Sequence, residues 1–161
     1  MKPPPPYKDT AFALKSPEEC QTTYARLKDS LPTGECVLRS RLALPSGSEH
    51  ALYSEEEAAL IGGLLSAERE NGQVHAFHLW IAPPFRGRGL ATRFGQSYLR
   101  WAFSHRIHRL EVAHQSDHEP AERLSKRLGF LPEGIQRAAY EVDSCWINLA
   151  HYGLLRMDYQ P

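Results

Sequence analysis

Cysteine is scarce and scattered in this chain. Cys20, Cys36 and Cys145 are odd in number and widely spaced, so neither a disulfide framework nor a cysteine-rich metal module is expected. Packing thiols in a reducing cytoplasm are the plainer reading. No apolar run approaches the ~20 residues that span a bilayer. The amino-terminal residues are prolines rather than an apolar signal core, so the expectation is a cytoplasmic protein with no membrane partner. Net charge is missing too: 19 basic residues balance 19 acidic ones, which is not the profile of a general nucleic-acid binder. Internal repeats are absent. What is present is 161 residues with 42% hydrophobic content, enough for one buried core. Residues 1–9 read as a Pro-rich tail and 10–161 as a single domain.

A local absence says more. From Arg86 to Arg109 there is no Asp or Glu. An apolar run, Phe77 to Ala82, leads into this stretch and stops at Pro83-Pro84, which cannot continue a central ladder. Arg86-Gly87-Arg88-Gly89 follows, and a long helical pattern begins near Leu90. Two glycines one residue apart admit backbone conformations closed to other residues and let a ligand approach. The N–H groups of a helix start attract phosphate. This is a strand–loop–helix unit suited to a phosphorylated ligand, although most glycine-rich turns of this kind bind nothing. It is not a Walker A loop, because no Gly-Lys-Ser/Thr follows. It half resembles a dinucleotide fingerprint, with Gly87-x-Gly89 and an acid at Glu111, but Thr92 stands where close packing wants Gly or Ala.

Around this unit the chain alternates strands and helices. Thr10 to Lys15 reads as a weak first strand. Ser16-Pro17-Glu18-Glu19 is a capped helix start, and the helix is expected to run to about Leu31, before Pro32 and Gly34. Val37 to Leu44 and Glu49 to Ser54 read as strands around a turn at Pro45–Ser48. Ala58 to Ser66 reads as another, with Gly62-Gly63 marking a bulge or a close backbone approach. Glu70-Asn71-Gly72 is a hairpin turn into the strand Gln73 to Ala82. In the following helix Leu90, Phe94, Tyr98 and Trp101 share one face, with Arg93, Gln96 and Arg100 opposite. His108 to His114 is a buried strand. A helix from about Glu119 to Leu128 ends at Gly129. Phe130 to Val142 and Cys145 to Leu155 close the chain as strands around a turn at Asp143-Ser144. The fold class is α/β, a mixed sheet flanked by helices.

Arg86-x-x-Gly89-x-Ala91 after a strand resembles the Arg/Gln-x-x-Gly-x-Gly/Ala signature of the GNAT superfamily of acyl-CoA N-acyltransferases. Arg127-Leu128-Gly129-Phe130, Glu133-Gly134, Arg137, Tyr140 and the final strand pattern resemble its Rim-type branch, which acetylates protein N-termini. The likeness covers Ala58 to Tyr159 well and the first third weakly. It implies a mostly antiparallel central sheet flanked by helices, with strands splayed at the acyl-CoA site. It also implies acetyl transfer from acetyl-CoA to an amine, either a peptide N-terminus or a small molecule. A homodimer stays open.

The resemblance assigns roles residue by residue. Leu79 and Ile81 match the strand positions whose backbone holds the thioester arm. Arg86, Gly87, Arg88, Gly89, Leu90, Ala91 and Thr92 match the loop and helix start that bind the pyrophosphate. No metal is required. Three positions depart from the family. His118 stands where Asn is usual, Ser125 where many members have the Tyr that protonates the thiolate, and Ala121 where the Rim-type branch often has Ser. Ser125 shares a face with Leu124 and Leu128 and is the candidate proton donor; the competing role is a bond back to its own helix. For a base, Ala76 stands near the position where the branch often has an acid. His78 is in phase with it, and histidine is the side chain whose unperturbed pKa lies nearest neutrality, so His78 is the candidate, with His114 and Tyr152 as outside choices. Glu55, Glu56 and Glu57 read either as a cation-binding acid patch or as a solvated turn. Two other readings are a CoA-binding domain without turnover, suggested by Ala76, Ala121 and Ser125, and a nicotinamide-dependent oxidoreductase built on Gly87-x-Gly89.

Overall fold

The computed structural model describes Tyr7, residues 9–31 and residues 48–161. The strand expected at Val37 to Leu44, most of the turn at Pro45–Ser48 and most of the Pro-rich lead-in lie outside the described residues. Seven strands form one sheet in the order β1-β2-β3-β4-β5-β7-β6. They are β1 (Phe12–Lys15), β2 (Ser48–Ser54), β3 (Ala59–Arg69), β4 (Val74–Ile81), β5 (Arg109–Gln115), β6 (Leu131–Val142) and β7 (Cys145–Leu155). The helices are α1 (Gln21–Asp29), α2 (Leu90–Ser104) and α3 (Glu119–Arg127). Every neighbouring pair is antiparallel except β4–β5. That excludes the doubly wound parallel sheet on which a dinucleotide fingerprint depends, and with it the oxidoreductase reading. Among the described residues, no helix is long and apolar enough to cross a membrane.

The helix after Ser16 starts as a 3-10 turn, Pro17–Cys20, whose Glu18 N–H donates to the Ser16 hydroxyl. The α-helical part ends at Asp29, two residues before the expected stop. On α2 the apolar stripe behaves as its spacing requires: Leu90, Phe94 and Tyr98 are buried. Phe77 of β4 meets Tyr98 with ring centroids 5.1 Å apart. Leu128, at the end of α3, fills the space above Gly95, so α3 lies on the same face as α2. Tyr7, inside the Pro-rich lead-in, is buried in this layer against Phe94 and Trp101 and bonds to Ser97. On the other face Tyr24 of α1 packs on Trp80, with centroids 5.7 Å apart.

Gly62-Gly63 combines both effects expected of it. The β2–β3 register slips between Leu52 and Tyr53, opposite Ile61. A Cβ on Gly62 would stand 2.0 Å from the Trp80 carbonyl oxygen, and one on Gly63 2.4 Å from the Tyr24 hydroxyl. These glycines let β4 lie close against β3 up to its last residue. Gly62→Ala is therefore expected to cost about 3 kcal/mol, because the obstruction is backbone. Gly95→Ala should cost less: its obstruction is the end of the Leu128 side chain, and Ala favours a helix over Gly by about 1 kcal/mol. Urea denaturation of the two variants checks the order, which reverses if β3 and β4 are not tightly apposed.

Candidate active site

The site begins with a pairing that stops early. β4 and β5 are in register only from Val74↔Arg109 to Ala76↔Glu111. Beyond Ala76, β4 keeps its antiparallel partner β3 as far as Ile81, and β5 keeps β7 as far as Gln115. The two central strands therefore part. Ala82 N–H donates to the Ile61 carbonyl at 2.9 Å. With the register of the β3–β4 pair, this sets the phase: even-numbered residues of β4 exchange bonds with β3, and odd-numbered ones turn their N–H and C=O toward β5. Phe77, Leu79 and Ile81 thus direct backbone groups into the gap. One of these groups is taken, since Arg86 Nε donates to the Ile81 carbonyl at 2.7 Å.

At the end of β4 the chain passes Pro83–Phe85, a 3-10 turn, and reaches the glycine loop. Gly87 and Gly89 have φ of +76° and +73°, and a Cβ on either would meet nothing within 4 Å. Both are required by conformation, and the space beside them is open. Gly89 is the N-cap of α2 and brings no capping side chain. The first helical bond runs from Arg93 N–H to the Gly89 carbonyl at 3.0 Å. The N–H groups of Leu90, Ala91 and Thr92 are left without helical acceptors. They face an open cradle suited to a phosphate-sized anion. Arg88 pairs with Glu57 and Arg93 with Glu56. The acid triplet thus sits beside the loop, where two of its members balance arginines.

Two faces of the sheet meet at the gap. His78 and Ala76 lie on the α1 face and line a cavity of about 360 Å³ with Glu111, Ala113 and His151. Arg109 bonds there to Glu111 and to Glu133, each at 2.7 Å, and Arg69 pairs with Glu111. The Arg109 guanidinium holds the Glu133 carboxyl below the usual carboxylate range. Ser125 is on the opposite face, buried on the inner side of α3. His118 precedes α3 and is half-buried. The structure brings the loop, Leu79 and Ile81 together along one line, and sets His78 and Ser125 on either side of the sheet.

His114 lies on the Ser125 side. Its ring stacks on Tyr152 with centroids 5.0 Å apart. Nδ1 is 2.9 Å from the Gln115 carbonyl, and a carbonyl only accepts, so Nδ1 carries the proton. Nε2 is then a bare lone pair, buried and without a partner among the described residues. Burial pushes the His114 pKa down, so the ring is neutral near pH 7. The alternation of β5 is the signal that could have separated His114 from the α1 face in advance: it shares phase with Leu110 and Val112, which face the helices.

Comparison with known proteins agrees with this geometry. Residues 16–130 match the sequence profile of the Acetyltransferase (GNAT) family. A Bacillus subtilis protein, YdaF, named for ribosomal N-acetylation, is 28% identical over 82 residues. That alignment covers 50% of this chain and 45% of the relative, so it spans less than half of the curated protein. Among solved structures, an acetyltransferase of the GNAT family from Bacillus anthracis superposes with a TM-score of 0.72 at 15% identity, covering 94% of this chain and 98% of the other. A ribosomal-protein-S5-alanine acetyltransferase from Vibrio fischeri superposes at 0.71 with 14% identity, covering 96% and 98%. At these identities the likeness is one of fold. With the profile match, the splayed parallel pair and the open glycine loop in one chain, the protein belongs to the Acetyltransferase (GNAT) family.

Proposed function

We propose that the protein transfers an acetyl group from acetyl-CoA to a primary amine, and that the acceptor is a peptide N-terminus or a small monoamine. The observation that carries this reading is the gap between β4 and β5, continuous with the open cradle at the start of α2. Acetyl-CoA supplies an activated acyl carbon and a thiolate leaving group. The N–H groups of Gly87 to Thr92 hold the pyrophosphate, and the Thr92 hydroxyl adds a donor. Arg86 and Arg88 raise the local positive potential, each from a position already engaged by a carbonyl or carboxylate. Backbone groups of Leu79 and Ile81 hold the thioester arm, and His118 offers a hydrogen bond beside α3.

His78 takes the proton from the attacking amine on the α1 face. Ser125 relays a proton to the departing sulfur on the α3 face, its Oγ giving one proton as it takes another from solvent, and a serine reaches less far than a tyrosine would. The acceptor cavity favours one amine over a polycation: its two arginines and two glutamates are paired with one another, so it carries no excess of negative charge. The short Ser125 side chain and the bare Ala76 and Ala121 keep a second reading in play, a CoA-binding domain without turnover.

The loop selects CoA over NAD. A ligand at ~100 times its Kd adds about 2.7 kcal/mol to folding stability, so CoA should raise the melting temperature and NAD should not. Gly89→Asp keeps a residue that tolerates the left-handed region and puts a carboxylate at the phosphate position. It should fold and lose the CoA-induced shift; a retained shift places the cofactor elsewhere.

Turnover separates enzyme from binding domain. Ser125→Ala should lower kcat and kcat/KM together, by roughly tenfold or more, with CoA affinity unchanged. His78→Gln should lower kcat/KM by about 100-fold. Steady-state assays on peptide N-termini and monoamines read both. Full activity in Ser125→Ala makes that serine structural, and CoA binding with no acetylated acceptor supports the binding-domain reading.

A further inference from the structure

One end of the cavity on the α1 face holds a cluster of charges that the transfer chemistry does not use. Arg109 spends every side-chain nitrogen on glutamates, Nε on Glu111 and both Nη atoms on Glu133. The Arg109–Glu133 pair lies over Gly153, where a Cβ would overlap Glu133 Oε1 and stand 2.8 Å from Arg109 Nη1. Arg69 is different. It gives Nη2 alone to Glu111, so its Nε and Nη1 have no partner among the described residues. Its side chain is 51% exposed and lines the cavity. Both oxygens of Glu111 and both of Glu133 already accept from an arginine. What the cluster has to spare is therefore donor capacity on a cation.

Strand register places this capacity relative to His78. Leu65 is opposite His78, and Arg69 is opposite Val74. Glu111 is opposite Ala76. Reaching from β3 to Glu111 on β5, the Arg69 side chain crosses β4 and brings its guanidinium toward the level of Ala76. That level is two residues from His78, roughly 7 Å along the strand. Between the two levels the cavity is floored by Ala67, Ala76 and Ala113, whose side chains are too short to fill it. An extended dipeptide also spans roughly 7 Å, and a cavity of about 360 Å³ is of the size that holds a small ligand. The complement of a guanidinium edge is a carboxylate, planar and held by charge-assisted hydrogen bonds. A phosphate would bring a second negative charge against Glu111.

We propose that Arg69 selects an acceptor amine that carries a carboxylate one extended dipeptide away. The inference rests on the acetyl-transfer reading for the fate of the amine and names the acceptor's other end. The amine sits by His78 and the carboxylate on Arg69. That carboxylate is either the free end of a dipeptide or the acidic side chain of a peptide's second residue. Three probes test this: alanyl-alanine, its carboxamide, and the α-carboxamide of alanyl-glutamate. Alanyl-alanine should have a kcat/KM about tenfold above that of its carboxamide, carried by KM. The glutamate peptide, by matching one or the other, tells the two sources of the carboxylate apart. In Arg69→Gln the ratio of alanyl-alanine to its carboxamide should fall to about one, and Arg69→Lys should restore part of it. A second readout needs no turnover. With CoA bound, which carries no acetyl group, alanyl-alanine should shift the Arg69 Nε–H resonance in a proton–nitrogen correlation spectrum, and its carboxamide should not. That shift without acetylation of any probe upholds the carboxylate site and sinks the acetyl-transfer reading instead. A wild-type ratio near one, a ratio unchanged in Arg69→Gln, or an Arg69 resonance indifferent to alanyl-alanine overturns the proposal.

Discussion

The interaction on which the site depends is a strand pairing that ends after three residues. β4 and β5 are the sheet's only parallel neighbours among the described residues, and parallel pairing is the weaker kind. Each also has an antiparallel partner on its other side, and both keep that partner to their last residues. When the twisted sheet must open, it opens at the weaker seam. Gly62 reinforces this by letting β3 hold β4 at contact distance. Arg86 takes the Ile81 carbonyl; the Leu79 N–H and C=O and the Ile81 N–H, without a strand partner among the described residues, then need partners. A ligand with amide groups along its length is a natural complement, and one end of the gap runs directly into the open start of α2.

The same opening sorts the chemistry by face. Alternation along β4 sends Phe77 and Ile81 to the helices and His78 to the α1 side. The sheet thus separates His78, in one compartment, from Ser125, in the other. His114, neutral and stacked on Tyr152, belongs to the second compartment, although it looked from the sequence like an alternative to His78.

What could be read from the sequence was whatever a short stretch decides. Pro83-Pro84 ended a strand, Gly87 and Gly89 needed positive φ, and the stripe from Leu90 to Trp101 found the core. The splay itself came only through the family resemblance, because no local pattern says where two distant strands part. Arg86 folds back onto Ile81, and Glu56 and Glu57 reach Arg93 and Arg88 across more than thirty residues of chain. Such pairings depend on the fold as a whole. Tyr7 was hidden in the same way: inside a proline-rich stretch, nothing local marks it as part of the aromatic layer on α2.

The proposed acetyl transfer requires one ligand to bridge the backbone of β4 and the N–H groups at the start of α2. Titration of the nitrogen-15-labelled chain with CoA, followed by backbone amide shifts, tests it directly. The largest shifts are expected at Leu79, Ile81 and Gly87 through Thr92, moving together with one saturation curve. Shifts confined to residues outside β4 and the loop, with these amides unmoved, would contradict it.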